Sequence, residues 1–91
     1  MFEYDPEKSA INLVKHGIDF EAVQAIWLDD DRIDAPATSI DEARRMVVGR
    51  IDGKLWAAIV LDRDDRVRII SVRRARGRET KEYDRQKDFG S

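Results

Sequence analysis

From Arg44 to Arg73 the apolar pattern has a period of about two, in three runs separated at Asp52-Gly53 and Asp64-Asp65. A period of two sends alternate side chains to opposite faces, so the stretch reads as three consecutive antiparallel strands joined by two tight turns. Met46 and Val48 face one way, Val47 and Ile51 the other. Leu55, Ala57, Ile59 and Leu61 alternate with Trp56, Ala58 and Val60, the mark of a central strand covered on both faces. Asp-Gly is a favoured hairpin turn. A short strand at Phe2 to Tyr4 and another near Ile33 would complete the sheet.

Helical signals flank this meander. Asp5 can cap free N–H groups, Pro6 suits the first helical position and Glu7 complements the dipole, so a helix is predicted from Pro6 to His16, with Ala10, Ile11 and Val14 at helical spacing and Gly17 as its stop. A second helix is predicted from a cap at Asp19, with a buried stripe of Phe20, Val23, Ile26 and Trp27, ended by Asp29-Asp30-Asp31. Gly77 to about Lys87 reads as a final helix with little apolar content beyond Tyr83, and so only lightly docked. The expectation is a single α+β domain spanning 1–91, two N-terminal helices packed on an antiparallel sheet and a C-terminal helix. With 91 residues and no cysteine, its core rests on packing alone.

A net charge of -2 conceals an uneven distribution. Residues 1–42 carry eleven Asp or Glu against three Lys or Arg, whereas residues 43–91 carry fourteen Lys or Arg against eight Asp or Glu. A basic half on an acidic body points to a polyanion as partner, or else to two halves that neutralise each other across the fold. The N-terminus lacks a secretory pattern and the longest apolar run, Leu55 to Leu61, cannot span a bilayer, so the expected location is cytoplasmic.

Seven arginines and no lysine lie between Arg63 and Arg78, opposed only by Asp64 and Asp65. The planar guanidinium fork suits bidentate capture of phosphate oxygens. Strict alternation along the last strand puts Ser71 and Arg73 on one face with Val67 and Ile69, and Arg66, Arg68 and Arg74 on the other. His16 is the sole histidine, which excludes a paired-imidazole mechanism and leaves it as a proton shuttle or a helix cap. The Asp29-Asp30-Asp31 run with Asp34 lacks the glycine and spacing of a calcium loop, so no metal or other cofactor is expected. Phosphate loops, dinucleotide fingerprints and nucleophile elbows are absent.

Three blocks carry a family resemblance: Asn12-Leu13-Val14-Lys15-His16-Gly17-Ile18-Asp19-Phe20-Glu21; Glu42-Ala43-Arg44-Arg45 with Gly49; and Arg68-Ile69-Ile70-Ser71-Val72-Arg73-Arg74-Ala75 followed by Glu79 and Tyr83. Together they resemble the BrnT toxin family over nearly the whole chain. The resemblance implies a fold like that of the RelE-type bacterial ribonucleases, an RNA-cutting activity that inhibits translation, and a BrnA antitoxin encoded alongside, through which any DNA contact is made. The chain departs from the family where Val60 and Leu61 replace a common Tyr-Thr pair, and where Val72 replaces an alanine after Ser71.

The expected chemistry is metal-independent endonucleolytic cleavage, in which the RNA's own 2'-hydroxyl attacks the adjacent phosphate. Arg73, then Arg44 or Arg45, would stabilise charge on the phosphoryl oxygens. His16 would move the proton, with Glu21 or Glu42 as alternative bases, and Ser71 would orient the phosphate. Arg74, Arg76 and Arg78 would bind RNA. A non-catalytic nucleic-acid-binding module, or a protein gripping an acidic partner, would use the same arginines without cutting.

Overall fold

The structure, a computed structural model, describes residues 1–37 and 43–90. β1 (Phe2–Glu3) leads into α1 (Pro6–His16), a 3-10 helix (Ala22–Leu28), β2 (Ile33–Pro36), β3 (Arg44–Ile51), β4 (Lys54–Arg63), β5 (Arg66–Arg74) and α2 (Gly77–Gly90). The strands form one sheet in the order β1-β5-β4-β3-β2. The meander β3-β4-β5 turns at both predicted places, with Asp52 at φ 50° and Asp64 at φ 55°, a conformation that aspartate tolerates better than most residues.

At one edge the expected antiparallel sheet is corrected: β1 runs parallel to β5, with Phe2 beside Val67 and Glu3 beside Arg68. That direction delivers the chain to Asp5 alongside the second half of β5, where α1 docks. Asp5 accepts from the Glu7 N–H at 2.9 Å, and Gly17, at φ 81°, closes the helix with its N–H on the Leu13 carbonyl. The face that α1 buries is the polar one. Ser9 and Asn12 are buried, while Ile11 and Val14 are 61% and 89% exposed. The cause is a set of backbone groups that only polar side chains can satisfy. Ser9 Oγ accepts from the Phe20 N–H at 2.9 Å, Asn12 Nδ2 donates to the Ile18 carbonyl at 2.8 Å, and Asn12 Oδ1 accepts from the Val72 N–H at the edge of β5 at 3.3 Å. Leaving such a buried group unpaired costs about 1–3 kcal/mol.

The second predicted helix is a 3-10 helix rather than an α-helix, so among the described residues one α-helix, not two, precedes the meander. Asp19 Oδ1 does cap its start, accepting from the Ala22 N–H at 2.8 Å. Three residues per turn align Val23 with Ile26, and both are fully buried against the sheet. Phe20 is buried as predicted, whereas Trp27 is half-buried with its ring edge-on to Phe2 at 4.7 Å.

Two clusters occupy the two sheet faces. Val47, Trp56, Ala58, Val60, Ile69 and Val72 meet Ile18, Phe20, Val23 and Ile26 on the first; Val48 and Ala57 meet Tyr83 of α2 on the second. Gly49 lets the 3-10 helix approach β3, because a Cβ there would lie 2.5 Å from Ile26 Cγ2 and 3.3 Å from the Ile26 carbonyl oxygen. Gly49→Ala is therefore expected to destabilise the fold by about 1–3 kcal/mol, and to cost less in an Ile26→Ala background. Thermal midpoints of the two single variants and the double variant check this, and strict additivity would show that the contact is not the cause.

Candidate nucleic-acid interface

Residues directly opposite each other in paired strands share a face. Val48, Ala57 and Arg73 form one such row, Met46, Ile59 and Ser71 the next, and Arg44, Leu61 and Arg68 the third. The first row lies under α2, since Val48 and Ala57 pack on Tyr83. In the other two rows Met46, Ile59, Arg44, Leu61 and Arg68 are half-buried and Ser71 is exposed. The result is an apolar floor of Met46, Ile59 and Leu61, walled by Arg44, Arg68 and Arg73 with Ser71 between them.

This gathering depends on a β-bulge. Ile59 pairs with Ser71 but Val60 pairs with Ile69, so Ile70 has no partner on β4. The extra residue shifts the alternation by one. Ser71 and Arg73 do share a face, as expected, but it is the face of Arg66 and Arg68 rather than that of Val67 and Ile69. Arg74 lies opposite, its guanidinium 5.4 Å from the centre of the Trp56 ring. Val60 is fully buried on the far side. Of the Val60-Leu61 replacement, only Leu61 therefore bears on the arginine face.

The arginines differ in how they are engaged. Arg44 Nε is buried and has no hydrogen-bond partner among the described residues. Arg73 is held by α2, its two Nη atoms each 2.7 Å from an oxygen of Glu79. That pairing raises the Arg73 pKa against the effect of desolvation, and holds Glu79 below the ordinary carboxylate range, again against desolvation and with help from the Arg76 N–H. Glu3 stands 3.5 Å from Arg66, 3.8 Å from Arg68 and 3.9 Å from Arg63. Arg45 points to the opposite face, where it bonds Asp62 at 2.7 Å and also pairs with Asp34; the hydrogen bond to Asp62 leads in raising its pKa. The structure thus separates the neighbours Arg44 and Arg45, and only Arg44 joins Ser71 and Arg73. Arg76 meets Glu79 through its backbone N–H at 2.9 Å, and Arg78 lines a groove on α2 with Lys81 and Arg85.

His16 is exposed and shares a cleft of about 200 Å³ with Lys8, Asn12, Lys15, Ile70 and Ser71. Ser71 and the bulge residue Ile70 thus join the arginine face to the histidine cleft across the edge of β5. Glu21 is exposed at the start of the 3-10 helix, and Glu42 lies outside the described residues. The aspartate run is a tether. Asp29 Oδ2 accepts from the Tyr83 hydroxyl and the Arg50 N–H, both at 2.8 Å, which fixes α2 to the sheet. Desolvation works to raise the Asp29 pKa, but the bonds from Arg50, Asp31 and Tyr83 outweigh it and hold the group low. Among the described residues, no three His, Asp or Glu gather as a metal site, and no helix is long and apolar enough to cross a membrane.

Sequence reasoning missed the Glu79 clamp and the placing of Arg68. The signal for the second was present in Ile69-Ile70, two adjacent apolar residues that break the alternation.

The sequence matches the family described as ribonuclease toxin, BrnT, of type II toxin-antitoxin system, over residues 4–79. The chain belongs to that family. No curated protein matches it. A ribonuclease toxin acts on RNA, and the toxin of a type II system is paired with an antitoxin protein.

Both carboxylates that hold α2, Glu79 and Asp29, have lowered folded-state pKa values. The stability they confer is complete above the unfolded values of about 4 and is lost as pH falls through the lower folded values. Acidification below about pH 4 should release α2 ahead of the sheet. The helical circular-dichroism signal and the Tyr83 ring resonances would report this, and Glu79→Gln should shift the change toward neutral pH. An α2 signal that falls only together with the sheet would refute it.

Proposed function

We propose that this ribonuclease toxin is a metal-independent endonuclease with a RelE-type relation in fold, which stops translation by cutting RNA and is silenced by a BrnA-type antitoxin. The observation that carries the reading is Arg44. A buried guanidinium Nε with no partner among the described residues carries a cost of about 1–3 kcal/mol, and because it is the one such side-chain atom among those residues, it reads as a donor kept for a ligand. An RNA phosphate is the ligand that suits it, because Arg68, Ser71 and Arg73 bound the same apolar floor.

In this reaction the phosphodiester sits over the Met46-Ile59-Ser71 row. The 2'-oxygen attacks phosphorus as its proton leaves to a base, the bond to the 5'-oxygen breaks, and that oxygen takes a proton as it departs. The products carry a 2',3'-cyclic phosphate and a 5'-hydroxyl. Arg44 and Arg73 stabilise the charge gathering on the non-bridging oxygens, and Ser71 orients the phosphate. His16 shuttles the proton from the adjoining cleft, where Lys8 and Lys15 add positive charge. A single imidazole serves one end of the transfer, leaving the other to water or to a carboxylate. Glu42, two residues before Arg44 in the chain, and Glu21 are the carboxylates proposed for it. Arg74, Arg76 and Arg78 lie outside this face and extend the path of a longer RNA.

Arg44→Met should leave the thermal midpoint unchanged or raised, since it removes an unsatisfied buried donor, while cleavage of a long RNA falls by about 100-fold or more. Arg45→Met should do the reverse, losing about 1 kcal/mol of stability while cutting normally. If Arg44→Met cuts like the wild type, the assignment of the face is wrong. Cleavage should persist in excess EDTA and leave cyclic or 3'-phosphate ends; 3'-hydroxyl ends would exclude attack by the 2'-oxygen. Binding without any cutting would make the chain a nucleic-acid-binding module instead.

A further inference from the structure

α1 turns its apolar side outward. Ala10, Ile11, Val14 and the stem of Lys15 line one shallow depression, and Leu13 beside them is half exposed. Aliphatic side chains scattered singly over a surface need no explanation, but adjacent ones on a single helical face do. The folding of this chain does not use them, because α1 is held by its buried Ser9 and Asn12. The depression is also continuous with the histidine cleft, since Ile11 and Lys15 line both.

We propose that this face of α1 seats an amphipathic helix of the antitoxin. The partner's aliphatic stripe would lie on Ala10, Ile11 and Val14, and its acidic flank would meet Lys8 and Lys15, so that the same helix covers the opening between His16 and Ser71. The proposal rests on the toxin reading above and adds where and by what chemistry the partner binds. Other occupants fit less well. A second copy laid antiparallel on α1 would bring Lys8 of one chain toward Lys15 of the other, opposing like charges. The aliphatic patch is also small beside the roughly 1,600 Å² buried in a stable protein interface. A surface of this size suits a segment that continues onto charged ground. RNA gains little from it, for the depression offers no aromatic ring for a base to stack on.

The probe is the full-length product of the gene adjoining this one, titrated calorimetrically into the intact chain. Val14→Glu and the double variant Ala10→Glu/Val14→Glu alter only exposed positions outside the cleft. They should bind the partner roughly 30-fold more weakly or worse, keep the wild-type thermal midpoint and RNA cleavage, and kill cells even with the antitoxin co-expressed. Val14→Ile should bind as the wild type does, and wild-type binding should weaken with salt. Undiminished affinity in both Glu variants would overturn the proposal. So would a wild-type dimer in sedimentation that Val14→Glu dissolves, which would assign the face to a second copy, or a loss of RNA binding in Val14→Glu. Failure of the adjoining product to bind even the wild-type chain would instead overturn the toxin-antitoxin pairing, and the docking with it.

Discussion

Ile70 has no partner on β4, and the composition of both sheet faces follows from that one unpaired residue. Without it, Ile69 and Val72, three positions apart, would fall on opposite faces. With it, both reach the core, at 2% and 1% exposure. Burying an aliphatic side chain of this size is worth about 1.5–3 kcal/mol, whereas one interrupted ladder bond costs about 1 kcal/mol, so packing decides for the bulge. On the other side of the strand, Asn12 accepts from the Val72 N–H at the free edge of β5. The arrangement of the arginine face is a by-product of this packing. The shift that seats Val72 in the core also carries Ser71 and Arg73 onto the face of Arg44 and Arg68.

Opposite charge in the two halves of the chain turns out to have two consequences at once. Part of it is neutralised internally: Glu3 of the acidic half faces Arg63, Arg66 and Arg68, and Asp34 pairs with Arg45. The Glu3 contacts are long and the arginines at the strand's start well exposed, so they hold little energy and leave those side chains free to turn toward another anion. Arg44 is different, being half-buried and without a partner for its Nε among the described residues. Mutual neutralisation is therefore confined to particular residues and does not account for the whole basic surface.

The meander, its turns, the ends of α1 and the start of α2 were legible in the sequence, the first three because they rest on local rules: alternation, Asp-Gly, Asp-Pro, and a glycine stop. What escaped reading depends on contacts across the fold. The direction of β1 is fixed by where α1 must dock, and the 3-10 winding of Ala22–Leu28 by the close approach of Ile26 to Gly49. α1 reverses the usual rule that the apolar stripe is the buried one, because the neighbouring backbone needed Ser9 and Asn12. At the candidate site, Ser71 and Arg73 share a face as expected, but with Arg66 and Arg68 rather than with Val67 and Ile69. The separation of Arg44 from Arg45 followed from the alternation already noted, but only pairing with β4 showed which of the two joins Arg73.

α2 bears on how the face would work. It is polar on most of its surface, and its hold on the sheet is concentrated at Tyr83, fully buried beneath the Arg50 guanidinium and bonded to Asp29, and at Glu79, which occupies both Nη atoms of Arg73. A carboxylate seated on an arginine fork presents the same pair of acceptor oxygens that a phosphate would. In the proposed reaction Arg73 is thus not equivalent to Arg44. Among the described residues Arg44 has no carboxylate to give up, whereas Arg73 can give its fork only if Glu79 yields it, a step resisted by charge-assisted bonds from Arg73 and by the Arg76 N–H. A doubly charged transition state competes for that fork better than a singly charged ground-state phosphodiester does, because the attraction grows with the charge on the oxygens. The Glu79 contact would then favour the arginine's engagement with the transition state over its engagement with bound substrate, which is the direction that raises a rate rather than merely tightening binding.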